Sequence, residues 1–426
     1  MTEPILQSVS AVSLESMRSE PLDAQTIRDA KDIVEDVRTG GEPRLRAWAE
    51  QLDGLASDAP LLIDRRGLAA ALDRTPRDQR LVLERTSARI TRFAEAQRAC
   101  LRPMTAPIPG GQAGHTIEPI ERVGCYAPGG RFPLPSSALM TAIPARVAGS
   151  REVWMASPRP ALSTLAAAAI AGVDGVLCAG GAQAIAALAY GVGGVSACDI
   201  VVGPGNRWVT AAKYLVSRHT AIDMLAGPSE LVILADDSAD PHTVAADLLA
   251  QAEHDPEARA ILVTTDPSLP GRVDDELAEQ LQSLPTAAVA REALVRGGFS
   301  VAVRDIDEGL KACDLLAPEH LQVITRDADS VSARVRHAGA IFIGASSAEA
   351  YGDYGAGPNH TLPTGSGARS HAGLSVLTFL RVRTWLRIDA VSQARDLIAD
   401  AASLARMEGL EAHARSAEAR LKTART

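Results

Sequence analysis

Leu231–Thr265 reads LVILADDSADPHTVAADLLAQAEHDPEARAILVTT. It opens on an unbroken apolar run, Leu231–Ala235, and closes on another, Ala260–Thr264. Between them Asp240 offers a helix cap, Pro241 suits a first helical turn, and Pro256 stops the pattern, which predicts a helix over Pro241–Asp255. Strands that are apolar throughout, separated by helices, belong to parallel sheets covered on both faces.

The same alternation extends in both directions. Further candidate strands are Val153–Ala156, Gly175–Ala179, Asp199–Val202, Ser300–Val303, Leu321–Thr325 and Ala340–Ile343. Helical windows fall at Ser163–Ala171, Gln183–Tyr190, Arg207–Ser217, Ala287–Arg296, Ile306–Cys313 and Ser330–His337. Upstream, Asp23–Val37 carries Ile27, Ala30, Ile33, Val34 and Val37 at helical spacing with Gly40-Gly41 after it, and Arg80–Cys100 is a second helix. Pro107, Pro109, Gly110 and Gly111 form a breaker cluster that predicts a hinge or domain edge. The tail from Asp389 is Ala- and charge-rich and helix-like. The expected fold is α/β, with two Rossmann-like parallel-sheet domains, an N-terminal helical segment and a helical C-terminal tail.

Composition agrees. The 426 residues suffice for two large domains or about three smaller ones. Apolar residues make up 46% and aromatic ones only 3%, so Ala, Val, Leu and Ile must build the cores. With 43 Lys plus Arg against 52 Asp plus Glu, no basic excess exists to meet nucleic acid phosphates. Cys100, Cys125, Cys178, Cys198 and Cys313 are odd in number and scattered, which argues against a disulfide framework or a thiolate zinc site and fits a reducing cytoplasm. No signal peptide pattern opens the chain. Gly175–Cys198 is uncharged over a bilayer-spanning length, but its six glycines and Gln183 favour a strand, turn and helix over a membrane span.

Four segments concentrate chemistry. Gln251 and His254, three apart near a helix end, share a face and can begin a mixed O/N metal site; a solvated helix end has the same pattern. Glu319-His320 is an acid–imidazole pair at a strand edge, suited to general acid/base work, although Glu after Pro318 also suits a helix start. Tyr351–Thr364, with Asp353, Asn359 and His360 among glycines and prolines, reads equally as a binding loop or a bland one. Glu408 and His413, five apart, share no helical face unless Gly409 breaks the helix. G-x-G-x-x-G is absent; Gly180-Gly181-Ala182-Gln183 and Gly203-Pro204-Gly205-Asn206 follow strands and open helices, where backbone N–H groups can face an anion.

Taken together these segments resemble the histidinol dehydrogenase family along nearly the whole chain. The resemblance is carried by VGCYAPGG (123–130), GGAQAIAALAYG (180–191), VGPGN (202–206), IDMLAGPSE (222–230), DLLAQAEHD (247–255), APEHL (317–321), GDYGAGPNHTLPT (352–364) and EGLEAH (408–413). It implies an NAD-dependent zinc enzyme that takes L-histidinol through the aldehyde to L-histidine. By residue it implies Gln251, His254, Asp353 and His413 as zinc ligands and Glu319 and His320 as the catalytic pair. Ser229, Gln251, His254, His320, Asp353, His360, Glu408 and His413 would meet substrate, and Tyr126, Gln183 and Asn206 would meet NAD. It further implies a homodimer in which the tail of one subunit completes the other's site, with neither membrane nor nucleic acid as partner.

The expected division is an extension over 1–20, a first domain of 21–119 plus 235–378 carrying the catalytic pair, a second of 120–234 on the NAD side, and a helical tail over 379–426. Phe379–Arg387 is more basic and bulkier than the resemblance suggests, and Ser217–Ala221 is less typical. The alternatives are a paralogous zinc and NAD dehydrogenase of another polar alcohol, or a non-catalytic metal- and nucleotide-binding protein. Retention of His360 and Glu408 favours histidinol, and the intact Glu319-His320 pair favours catalysis. His115, His219, His242, His337 and His371 match no role and are assigned to surface or structure.

Overall fold

A computed structural model describes residues 4–17, 22–129 and 132–423. Parts of the expected extension over 1–20, Gly130 of the 123–130 segment and the last three residues of the tail lie outside these ranges.

Two six-stranded sheets form the body. In the first the order is Gln7–Ser8, Phe299–Ala302, Arg259–Thr264, Glu230–Ala235, His320–Ile324 and Ala340–Ile343, parallel throughout. Chain order reverses beside the central strand Glu230–Ala235. Helices cover both faces. Leu231, Ile233 and Ala235 enter one core with Leu248 and Leu262, while Val232 and Leu234 enter the other with Val263 and Leu321. This period of two, apolar on both sides, is why the strands read as continuous hydrophobic runs.

The second sheet runs Leu62–Asp64, Gly175–Leu177, Glu152–Ala156, Arg122–Tyr126, Ile200–Val202 and Ala221–Ile222, parallel except for its first pair. Val153 and Met155 face one core, and Ala156 faces the other. Helix Gly181–Tyr190, GAQAIAALAY, is buried along almost its entire length, and its alanines let it lie close on the sheet. The uncharged stretch 175–198 is thus strand, helix and loop, and among the described residues no helix is long and apolar enough to cross a membrane.

The two-sheet α/β fold with helical ends is as the sequence predicts; several boundaries differ. Helix Ala24–Asp53 continues past Gly40, bent at Gly41 (φ 64°), with Pro43 just beyond. Its Ala30, Val34, Val37, Leu45 and Ala49 enter the core of the second sheet, and Leu62–Asp64 pairs with that sheet's Gly175–Leu177. Residues 24–64, grouped by the sequence with 235–378, therefore pack instead with 120–229. The extension joins the first sheet through Gln7–Ser8.

The breaker cluster is a hairpin, not a hinge: Met104–Ile108 and Gly111–Pro119 pair antiparallel around Gly110 (φ 74°). A third strand, Leu380–Ile388, lies antiparallel on Gly111–Pro119, so the tail begins with a strand rather than a helix. Its arginines point outward at 381, 383 and 387, which explains the basic character noted above. Two helices follow, Arg395–Met407 and Glu411–Thr423, separated at Gly409 (φ 75°).

Candidate active site

Ser229, His254, Glu319, His320, Asp353 and His360 come together at the amino ends of the two central strands of the first sheet. His320 opens its strand opposite Leu231. Helix Ile306–Leu316 ends in a left-handed residue, Ala317 (φ 45°), which turns the chain so that Glu319 and His320 enter the sheet. Ser229 precedes the neighbouring strand, and its Oγ donates to Glu319 Oε2 at 2.5 Å, joined by the Glu230 N–H at 3.0 Å. Burial pushes the Glu319 carboxyl up to about 8; these two hydrogen bonds oppose the shift, and the Asp353 charge adds to it.

His320 is 2% exposed. Its Nδ1 lies 3.2 Å from Glu349 Oε1 and 3.8 Å from Glu319 Oε2, while Nε2 lies 3.8 Å from Asp353 Oδ1. Burial pulls its pKa down to about 4 against the attraction of Asp353, so the ring is a neutral imidazole at physiological pH.

Asp353 closes the short helix Glu349–Asp353. Its Oδ2 lies 3.6 Å from His254 Nε2, and its main-chain carbonyl lies 2.9 Å from His360 Nδ1. His360 Nε2 reaches Ser137 Oγ at 3.4 Å, and Asn359 donates to the Met140 carbonyl, so the loop docks on helix Pro135–Ala148 of the second-sheet unit. Gly355 is needed for that path. Its φ is 87°, and a Cβ there would sit 2.3 Å from Thr86 Cγ2. A cavity of about 390 Å³ opens beside the loop, lined in part by His320, Phe342, Gly352, Asn359 and His360.

Asp240 caps helix Pro241–Ala252 by accepting the Thr243 N–H at 3.2 Å. At the other end stand Gln251 and His254. Gln251 is fully buried, yet neither its amide oxygen nor its nitrogen has a hydrogen-bond partner among the described residues. The orphaned amide oxygen is available to a ligand, because buried amides are nearly always satisfied. An amide oxygen, an imidazole and a carboxylate suit a divalent ion with mixed O/N preference. Ligand atoms of His320, Glu349 and Asp353 also lie within 4.8 Å of one another.

The residues expected at NAD stand elsewhere, at the carboxyl ends of the second sheet. Tyr126 ends its strand, and its hydroxyl accepts the Gly181 N–H at 3.1 Å. Gln183 donates to Asp53 Oδ2 at 3.0 Å, and the same oxygen takes the Gly180 N–H at 2.8 Å. Asn206 caps helix Arg207–Val216 through the N–H groups of Trp208 and Val209. The loop before it is held by a buried pair. Lys213 bonds to Asp223 and donates to the Gly203 carbonyl at 3.1 Å, while Asp223 accepts the Gly203 N–H at 2.8 Å.

Glu408 and His413 do not join the site within one chain. The tail helices pack on each other and on the Val391–Gln393 turn, and both residues are exposed. Sequence reading missed Glu349, although its four-residue spacing from Asp353 marks a shared helical face. It also missed Asp53, 127 residues from Gly180 in the chain, for which no local signal exists. The five cysteines are free thiols, and burial raises the pKa of Cys125, Cys178, Cys198 and Cys313.

The family model described as histidinol dehydrogenase matches residues 16–421. The chain is 46% identical over 395 residues to histidinol dehydrogenase of Thermus thermophilus, covering 92% of this chain and 93% of that one. It is 40% identical over 424 residues to histidinol dehydrogenase of Ralstonia nicotianae, covering 97% and 95%. Among solved structures, histidinol dehydrogenase from Elizabethkingia anophelis superposes with a TM-score of 0.92 at 29% identity, covering 100% of both chains.

Proposed function

Because the chain belongs to the histidinol dehydrogenase family, we propose that it oxidises L-histidinol through L-histidinaldehyde to L-histidine, using two NAD in succession and one zinc ion per subunit. The observation that carries the reading is the Gln251 amide, fully buried without a partner beside the His254–Asp353 pair. A metal ligand set would give that amide oxygen the partner it lacks.

Gln251, His254 and Asp353 would hold zinc, with the fourth ligand, His413, arriving from a second copy of the chain. When bound, zinc would supply positive charge and orientation for the amino alcohol and NAD would supply the hydride acceptor. The chain's own groups handle protons and position. His320, neutral because it is buried, takes the alcohol proton on Nε2. Glu319 activates the water that adds to the aldehyde; with its pKa near 8 it becomes a base at alkaline pH. The four buried cysteines, their thiols held protonated, support a water route over a covalent thiol one. Ser229, His360 and Glu408 complete the substrate contacts.

Placement of Tyr126, Gln183 and Asn206 at carboxyl strand ends, where the order of the second sheet reverses, supports the NAD side. We assign the metal side to the first-sheet unit around 230–378 and the cofactor side to the second-sheet unit that holds 120–229 together with 24–64. Exposure of Glu408 and His413, with Met407 82% and Leu404 59% exposed beside them, supports a homodimer whose tails are exchanged. Free thiols support a reducing compartment such as the cytoplasm.

The test is to mix purified protein with L-histidinol and NAD at alkaline pH and follow NADH. Two NADH per histidinol is expected; turnover of other alcohols but not histidinol sinks the substrate assignment. Glu319→Gln is expected to keep zinc and alcohol binding but stall at the aldehyde. Equal loss of both half-reactions would refute the division of labour.

A further inference from the structure

His320 presents two nitrogens to different surroundings. Nε2 faces Asp353 Oδ1 across 3.8 Å, on the side where the metal ligands gather. Nδ1 faces the protein interior, with Glu349 Oε1 at 3.2 Å. Glu349 is itself 3% exposed, and neither of its oxygens has a formed hydrogen bond; Nδ1 is likewise without one. Two buried orphans of complementary chemistry, an imidazole nitrogen and a carboxyl oxygen, therefore stand within hydrogen-bond distance of each other. Glu319, the other carboxylate near Nδ1, is 3.8 Å away, and its Oε2 is already engaged by Ser229 and the Glu230 N–H.

A neutral imidazole has one N–H and one lone pair, and the partner of the first nitrogen decides where the second's lone pair points. We propose that Glu349 is a positioning residue for the reaction: its carboxyl oxygen accepts a hydrogen bond from the His320 Nδ1–H, fixing the tautomer and ring angle that leave the Nε2 lone pair free to take the alcohol proton. The inference rests on the reading of His320 as the base. Glu349 lies one helical turn before Asp353, so the same short helix carries the imidazole's orienting group and the carboxylate expected on zinc. One element thereby sets the distance between the base and the metal side.

The experiment compares Glu349→Leu, Glu349→Gln and His320→Gln in the full-length zinc-loaded enzyme, reading kcat, KM for L-histidinol, zinc per chain and melting temperature. Glu349→Leu keeps bulk but offers no acceptor; kcat is expected to fall on the order of 10²-fold, as for other orienting groups behind a reactive imidazole. KM should stay within about threefold and zinc content should not change, the pattern for a group that acts only on the base. Glu349→Gln retains an acceptor oxygen, so kcat should recover to within about fivefold of the parent. A Leu variant with parental kcat overturns the inference, because the ring is then held without an acceptor at position 349. Loss of zinc in step with activity overturns it too, since Glu349 would then be a ligand. Failure of Gln to rescue kcat in a protein that melts normally does the same. His320→Gln separates the two layers: if that variant stays active the base assignment itself fails, and if it is inactive while Glu349→Leu is not, only this inference falls.

Discussion

The buried pair beneath the Gly203 loop offers a graded prediction. Side chains of Lys213 and Asp223 are 2% and 1% exposed. Asp223 has three partners: the ammonium, the Gly203 N–H at 2.8 Å and the Met224 N–H at 2.7 Å. Lys213 has two, the carboxylate and the Gly203 carbonyl. Lys213→Met leaves the carboxylate on two backbone donors, so the cost should sit near the lower end for breaking a buried pair, about 3 kcal/mol. Asp223→Ala strands an ammonium on one carbonyl and orphans two buried N–H groups. That adds at least about 2 kcal/mol and brings the loss to about 5 kcal/mol or more. Combining the two substitutions removes the stranded charge, so the double variant should be more stable than Asp223→Ala alone. Urea unfolding midpoints measure the order, and titration calorimetry with NAD measures the loop, whose Asn206 is proposed to meet the cofactor. Lys213→Met within about 0.5 kcal/mol of the parent, or Asp223→Ala milder than Lys213→Met, would refute the reasoning.

Three further outcomes are expected. Gln251→Leu fills the same buried space without an unsatisfied amide, so it should stabilise metal-free protein by about 1–2 kcal/mol in thermal melts while weakening zinc binding; a less stable metal-free variant contradicts the orphan argument. Glu319 has a folded pKa near 8, above its ordinary 4.5, so its contribution to folding is complete below pH 4.5 and disappears as pH rises through 8. Melting temperature of chelator-treated protein should accordingly decline across that window, and Glu319→Gln should flatten the decline. Mixing inactive His413→Ala chains with inactive His320→Ala chains should restore activity if tails are exchanged between subunits. No recovery in a mixture shown by mass to contain mixed dimers rejects the exchange.

Much of the fold was legible because both faces of each central strand are buried: runs such as Leu231–Ala235 and Ala260–Thr264 carry their own signal. The three-stranded sheet was not. Leu380–Ile388 has most of its side chains in solvent, so no apolar run marks it, and its partner begins beside glycines and prolines that read as a break. Gly40-Gly41 was likewise read for its local chemistry; Gly41 does bend the helix, but packing against the second sheet carries it on to Asp53. At the site, types and spacing exposed Gln251, His254, Glu319, His320 and Asp353 as candidates. Their meeting depends on parallel register, and the strand opposite His320 is 89 residues away in the chain. Glu349 and Asp53 escaped because a carboxylate on an ordinary helix looks the same whether it faces water or an imidazole.

The two sheets use opposite ends, and the polarity of their helices follows. Helices Pro241–Ala252 and Ile306–Leu316 run back toward the amino ends of the first sheet, bringing their carbonyl termini, each equivalent to roughly half a negative charge, toward Gln251, His254 and Glu319. Helices Gly181–Tyr190 and Arg207–Val216 begin at the carboxyl ends of the second sheet, offering amide termini of the opposite sign. Peptide dipoles alone thus favour cations at the first of these ends and anions at the second, which suits the proposed metal ion and the pyrophosphate of the proposed cofactor. The two sheets thus present opposite charge preferences at the ends where their candidate residues gather.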